Sequence, residues 1–239
     1  AVYGGEETKG KVYKINTDTY KVEGEVEVGC QPEGLAVAGG KLYVANSGGY
    51  NYVHESTVSV IDLSTFKVSS QIETASNLHF LAASANGDVW VSSYGESTWS
   101  QDASGKWIQS MSEPMGLYRI SGGKSSAVKD VHVSCMTLCD NGFIYAIGNA
   151  DELSGGYSNT LYKVNVKNAS VTSTPLSGTD AVKVSNPYGI LANPENGDIY
   201  IADSGLTYTD PGKVWCFTKD LKFKWSATAG MLPAHMVLF

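Results

Sequence analysis

An all-β fold, a β-propeller of four-stranded antiparallel blades, is what this sequence predicts on three observations: a repeated pattern, strands of alternating polarity within each repeat, and no amphipathic segment of helical length. The clearest copy of the pattern is NPYGILANPENGDIYIADSG, from Asn186 to Gly205. Its second half sets Ile199 and Ile201 on one side and Tyr200 and Ala202 on the other, the period-two signature of a strand. Its first half is a short apolar run closed by a Pro/Asn/Gly turn, so the two halves make a hairpin. The copies GGKLYVANSGG, NGDVWVSSYGE and NGFIYAIGNAD put Tyr43, Trp90 and Tyr145 at the place of Tyr200, with spacings of 47, 55 and 55 residues. Such periods mark a repeated supersecondary unit.

Each hairpin is followed by a second pair of apolar runs: VSVIDLSTFKVSSQIE from Val58, GLYRISGGKSSAVKDV from Gly116, TLYKVNVKNASVTSTPL from Thr160 and KVWCFTKDLKFKWSATA from Lys213. Four strands per unit follow. The chain opens on such a pair, GKVYKINTDTYKVEGEVEV from Gly10, behind a partial strand AVYGGE, and closes on an unaccompanied first strand, PAHMVLF from Pro233. The expectation is a single domain over residues 1–239 with about five repeat units, either a five-bladed ring or a fragment of a seven-bladed one. The C-terminal strand is expected to close it by joining the N-terminal blade. Packing of blade on blade assigns Tyr43, Trp90, Tyr145 and Tyr200 to the gaps between sheets rather than to a ligand. One unit is irregular, because STWSQDASGKWIQSMSEP, from Ser97 to Pro114, is an insertion carrying Trp99 and Trp107.

Composition agrees with a folded chain. With 239 residues, 42% hydrophobic and 17% charged, it is long enough to bury a core and too apolar for disorder. A 20-residue apolar run able to span a bilayer as a helix is missing from the sequence, and no leader stands at its start, so any export signal has already been removed. The net charge is −7, with 24 acidic against 17 basic residues and no basic block, which argues against nucleic acid as a partner. Cys30, Cys135, Cys139 and Cys216 show no metal-ligand spacing. Cys135 and Cys139 fall four apart on one expected strand, roughly 13 Å at ~3.3 Å per residue, too far to pair. Buried free thiols are the simpler reading, with a bridge through Cys30 or Cys216 left open.

In a four-stranded blade the connection from second to third strand and the connection to the next blade emerge on the same face. The long loops gather there: GGEETKG, NSGGYNYVHEST, SYGESTWSQDASGKW, GNADELSGGYSN and DSGLTYTDPG. Their Tyr, Trp, Ser, Gly and Asn combine rigid aromatic area with adaptable hydrogen bonding, the make-up of a recognition surface. Tyr50, Tyr52, His54, Tyr94, Trp99, Tyr157 and Tyr208 are the loop candidates, and Glu33, His79 and Tyr188 stand near the starts of inner strands. Together they predict a shallow aromatic platform for a ligand. Four histidines without a paired-His motif, a nucleophile elbow or a phosphate-cradling loop assign no catalytic residue, no metal ligand and no cofactor. The alternative is a metal-dependent, lactonase-like hydrolase holding a divalent cation through Glu33, Asn77 and Asn186, with Asp203 a further acid nearby.

The wording PEGLAVAGGKLYVANSGG followed by STVSVIDLSTFKV resembles the YVTN-type, YncE-like β-propeller repeat. NPYGILANPENGDIYIADSG followed by a final P-A-H strand is similar to the end of surface-layer lipoproteins of gut Bacteroidetes. The resemblance spans essentially the whole chain, although that family usually has seven blades. It implies an exported protein on the extracellular face of the outer membrane or in the periplasm, binding a small molecule, a glycan or a surface protein. Some propellers that look like this one capture cobalamin for an outer-membrane transporter, so the resemblance also implies corrinoid capture and a transporter partner.

Overall fold

The structure, a computed structural model, describes residues 8–49, 51, 53–148, 159–176, 183–207 and 209–238. These contain strands and turns and no helix. They fall into two compact units, Ala1–Val128 and Lys129–Phe239.

The first unit opens with β1 (Lys9–Ile15) and β2 (Val22–Cys30), a two-stranded antiparallel sheet. A four-stranded meander follows, made of β3 (Pro32–Ala38), β4 (Lys41–Asn46), β5 (Thr57–Asp62) and β6 (Lys67–Glu73). The next sheet begins with β7 (Leu78–Ala83) and β8 (Val89–Ser93), is interrupted by a ribbon of β9 (Glu96–Gln101) and β10 (Trp107–Glu113), and resumes with β11 (Gly116–Ser121) and β12 (Lys124–Ala127). The insertion expected as a loop is therefore a separate two-stranded sheet.

The second unit holds two four-stranded meanders. One is β13 (Cys135–Cys139), β14 (Phe143–Gly148), β15 (Thr160–Asn165) and β16 (Val171–Pro175). The other is β17 (Pro187–Ala192), β18 (Ile199–Asp203), β19 (Pro211–Phe217) and β20 (Phe223–Met231).

Alternation along β4 feeds two cores at once, because both faces of its sheet are covered. Leu42 and Val44 of β4 pack with Val12, Val28 and Ile61 toward the β1–β2 sheet. Ala45 of the same strand packs with Val58 and Val60, and against Leu78, Val89 and Val91 of the next sheet. The repeated aromatics sit in the second strand of each sheet. Trp90 and Tyr145 are fully enclosed, while Tyr43 and Tyr200 are partly covered. Three of the four face a small residue across the ladder (Ala36 opposite Tyr43, Ala82 opposite Trp90, Thr137 opposite Tyr145), so a large side chain fills the space its neighbour leaves. All four cysteines are buried free thiols, and burial pushes the Cys135 thiol up to about 12.

A polar residue ends each of three second strands and pins the chain entering the sheet. Asn46 accepts the Gly29 N–H at 3.1 Å, Ser93 donates to the Ser76 carbonyl at 2.5 Å, and Asp203 accepts the N–H groups of Ser185 and Asn186 at 2.9 and 2.8 Å. Just beyond, Ser47, Tyr94 and Ser204 each donate a backbone N–H to the residue before the inner strand: Gln31, Asn77 and Asn186 respectively.

Inner strands β3 and β7 approach backbone to backbone at Gly34, where a Cβ would overlap the His79 carbonyl and come within 2.8 Å of the Leu81 nitrogen. Gly34→Ala should therefore cost about 1–3 kcal/mol by overpacking. A denaturant midpoint matching the parent's would contradict this contact.

The chain end departs from expectation. Residues 233–238 form no strand, and among the described residues β1 pairs only with β2. Leu232 has a left-handed φ of 50°, and the chain then turns back over its own sheet. The Pro233 ring lies against Gly212 and the Ala234 carbonyl against Gly189, places where a side chain would collide. Pro233 also lacks the N–H that a ladder needs.

Candidate functional site

In the first unit, the end where β3 and β7 begin gathers the polar side chains. Gln31 and Asn77 stand at the same place in consecutive repeats, one residue before their inner strands, with left-handed φ values of 47° and 55°. Gln31 is completely buried, and its carbonyl accepts the Ser47 N–H at 3.1 Å and the Ser47 hydroxyl at 2.9 Å. Its Nε2 donates to Asn51 Oδ1 at 3.3 Å. Gly49 lies among these oxygens. A carbon added there would be 3.3 Å from Ser47 Oγ, 3.9 Å from Gln31 Oε1 and 4.0 Å from Asn77 Oδ1. The three oxygens make a neutral cradle around Gly49, whose own N–H donates to Ser47 Oγ at 3.1 Å.

Beside it stand Glu33, His79 and Tyr94. His79 packs its ring on Tyr94 at 4.6 Å between centroids and edge-on to Phe80 at 4.4 Å. Its Nε2 is 3.9 Å from Glu33 Oε2, beyond hydrogen-bond range, and its Nδ1 is buried without a hydrogen-bond partner among the described residues. Burial raises the Glu33 carboxyl above its ordinary 4.5 and lowers His79 below 6.5, so desolvation favours the neutral form of each. The pair sits where a ligand could complete the hydrogen bonding that the protein leaves open. A second contact ties the ribbon base to this end, with His54 Nδ1 2.8 Å from Glu96 Oε2.

The lowered His79 gives a pH dependence. Below about 6.5 the unfolded chain takes up a proton that the folded imidazole resists, so its contribution to stability is intact above that value and is lost as pH falls toward the lowered one. Parent and His79→Gln protein should differ in how far melting temperature drops between about pH 7.5 and pH 5.5, the variant dropping less. Equal drops would refute the burial assigned to this ring.

The ten candidate binding residues divide into groups. Glu33, His79 and Tyr94 come together, with His54 on Glu96. Trp99 does not join them. It stands on β9 three residues beyond Glu96, about 10 Å up the strand, and is 62% exposed. Tyr188 belongs to the second unit, exposed on β17. Tyr50, Tyr52, Tyr157 and Tyr208 lie outside the described residues.

Asp203 is not an acid open to a ligand. It is 2% exposed and accepts the Trp215 indole N–H at 3.0 Å besides backbone N–H groups, so its oxygens are used by the fold. Asn186 likewise serves through its carbonyl, which accepts the Ser204 N–H. Among the described residues no three His, Cys, Asp or Glu side chains gather as a metal site. Gln31 and Ser47 were not legible as site residues. The available signal was an amide before successive inner strands, in QPEG, NLHF and NPYG.

No family model matches the sequence, and no curated protein matches it. Solved structures do. The WD40 domain of Neurospora crassa Pan2 is similar with a TM-score of 0.57 at 11% identity, over 93% of this chain and 60% of that one. The β-propeller domain of Myceliophteria thermophila Cps50 (Swd1) is similar with a TM-score of 0.56 at 9% identity, over 87% of this chain and 58% of that one. The chain has the β-propeller fold. Its four-stranded sheets are propeller blades, and it spans about three fifths of the length of those two domains. At such identities the likeness extends to fold alone, and propellers host many unrelated functions.

Proposed function

We propose that this propeller is a non-enzymatic binding module, exported to the bacterial cell surface or periplasm, that captures a small polar ligand at the end of the first unit where β3 and β7 begin. The observation that carries this reading is the Glu33–His79–Tyr94 cluster, with the buried His79 Nδ1 left without a partner among the described residues. An aromatic wall with a few convergent polar groups is the general make-up of a ligand site. Ring stacking on Tyr94, a donor or acceptor for the buried His79 Nδ1, and a hydrogen bond to the Glu33 carboxyl would hold a ligand rich in hydroxyl or amide groups. A corrinoid, with its amide side chains, is the candidate that the YVTN-type resemblance contributes, and delivery to an outer-membrane transporter is the corresponding role.

Isothermal titration with cyanocobalamin and with neutral mono- and disaccharides tests the reading. One probe should bind saturably to the parent, and Tyr94→Ala or Glu33→Gln should weaken it about tenfold, or about 1.4 kcal/mol, while Trp99→Ala leaves it unchanged. Saturable binding by none of them, or binding indifferent to Tyr94 and Glu33, would overturn it.

A further inference from the structure

The ribbon of β9 and β10 carries a second surface, independent of the cluster around His79. Register decides which side chains share a face. Trp99 is opposite Gln109, Gln101 opposite Trp107, and Ser97 opposite Met111. Side chains directly across an antiparallel ladder point the same way, so one face presents Ser97, Trp99, Gln101, Trp107, Gln109 and Met111. The two indoles are diagonal neighbours on that face, 62% and 60% exposed. Diagonal positions lie about 7–8 Å apart, close enough for both rings to engage one ligand.

Hydrogen bonds hold this ribbon in shape where a core does not. A lone two-stranded hairpin is marginal in water. Here the tip is closed by Asp102, whose Oδ1 accepts the N–H groups of Ser104 and Lys106 at 2.8 and 3.0 Å, with Gly105 at a φ of 81° completing the turn. Across the aromatic face Gln109 Nε2 donates to Ser97 Oγ at 2.8 Å. At the base the Ser112 hydroxyl donates to the Glu96 carbonyl, and the Glu96 side chain meets His54. Two large apolar rings are thus displayed on a braced platform rather than folded away.

Charge chooses the ligand. In a chain of net charge −7, this face bears no ionisable group; Asp102 and Lys106 lie at the tip, and Glu96 and Glu113 at the base. Nothing on it neutralises a phosphate or a carboxylate, or pairs with an ammonium. Two indole faces beside two carboxamides and a hydroxyl complement a neutral molecule with apolar C–H faces and a hydroxyl edge, which is the chemistry of an uncharged sugar. We propose that the Trp99–Trp107 face of the ribbon binds a neutral oligosaccharide, with adjacent sugar rings on the two indoles and hydroxyls on Gln101 and Gln109.

Intrinsic tryptophan fluorescence and isothermal titration, with neutral hexasaccharides of glucose, mannose, xylose and N-acetylglucosamine as probes, test this. At least one should bind, and Trp99→Ala or Trp107→Ala should each weaken it tenfold or more, with melting temperature unchanged because both rings are exposed. Gln109→Ala should weaken the same probe severalfold. Tyr94→Ala should leave it unaffected, which separates this site from the one around His79. Three results would overturn the proposal: no hexasaccharide binding, binding that survives loss of both tryptophans, or a Trp99-dependent dimer in sedimentation that binds no sugar. The last would make the face a contact between copies of the chain.

Discussion

Trp90→Ala should destabilise the protein by about 3–5 kcal/mol, the cost of emptying a large buried aromatic site. Trp90 is completely enclosed, faces Ala82 across the ladder, lies under the Arg119 guanidinium at 5.5 Å, and donates its indole N–H to Ser84 Oγ at 3.2 Å. Alanine leaves a cavity that the surrounding sheet cannot close, because its backbone is fixed by ladder hydrogen bonds. The melting temperature should fall by roughly 10 °C. Trp90→Phe retains most of the volume and should cost only about 1–2 kcal/mol. Trp99→Ala is the matched control, since an exposed ring on the ribbon should change stability by no more than about 0.5 kcal/mol. Thermal unfolding of the three variants checks the assignment, and equal effects of Trp90→Ala and Trp99→Ala would refute it.

Asp203→Asn should be similarly damaging, at about 3 kcal/mol or more. The buried carboxylate accepts N–H donors from Ser185, Asn186, Gly205 and the Trp215 indole. An amide of the same size replaces one acceptor oxygen by an NH2 group facing those donors, and each buried donor left unsatisfied costs about 1–3 kcal/mol. The loss should appear in urea denaturation as a lower midpoint with an unchanged slope. A variant as stable as the parent, yet impaired in binding, would mean that Asp203 serves a ligand after all.

These two residues show what the sequence discloses and what it withholds. The repeated aromatic could be read as packing because alternation runs through it on both sides, and Trp90 and Tyr145 are indeed enclosed. The role of Asp203 could not be read, since a carboxylate in ADSG looks the same whether it meets solvent or four N–H groups, and only the folded backbone brings Ser185 and Asn186 to it. The ribbon was hidden for a different reason. Thr98 to Gln101 and Gln109 to Ser112 are polar on most positions of both faces, so no apolar stripe announces a strand there. For the chain end, PAHMVLF has the wording of an inner strand, and it is the left-handed turn at Leu232 and the close approaches at Gly189 and Gly212 that take it elsewhere. At the candidate site, Glu33 and His79 were legible from their places at the starts of inner strands. The cradle was not, because Gln31, Ser47 and Asn77 are spread along the sequence and meet only when β3 and β7 lie side by side at Gly34.

If the end of the first unit around His79 receives a ligand, His79 itself can report on it. In protein with isotope-labelled histidine, the imidazole resonances of His79, assigned by their absence from His79→Gln, should shift saturably on titration with cyanocobalamin or with a neutral mono- or disaccharide. That response should vanish in Tyr94→Ala. A folded protein in which His79 responds to none of these probes, or responds equally with and without the Tyr94 ring, would show that this end receives none of these ligands.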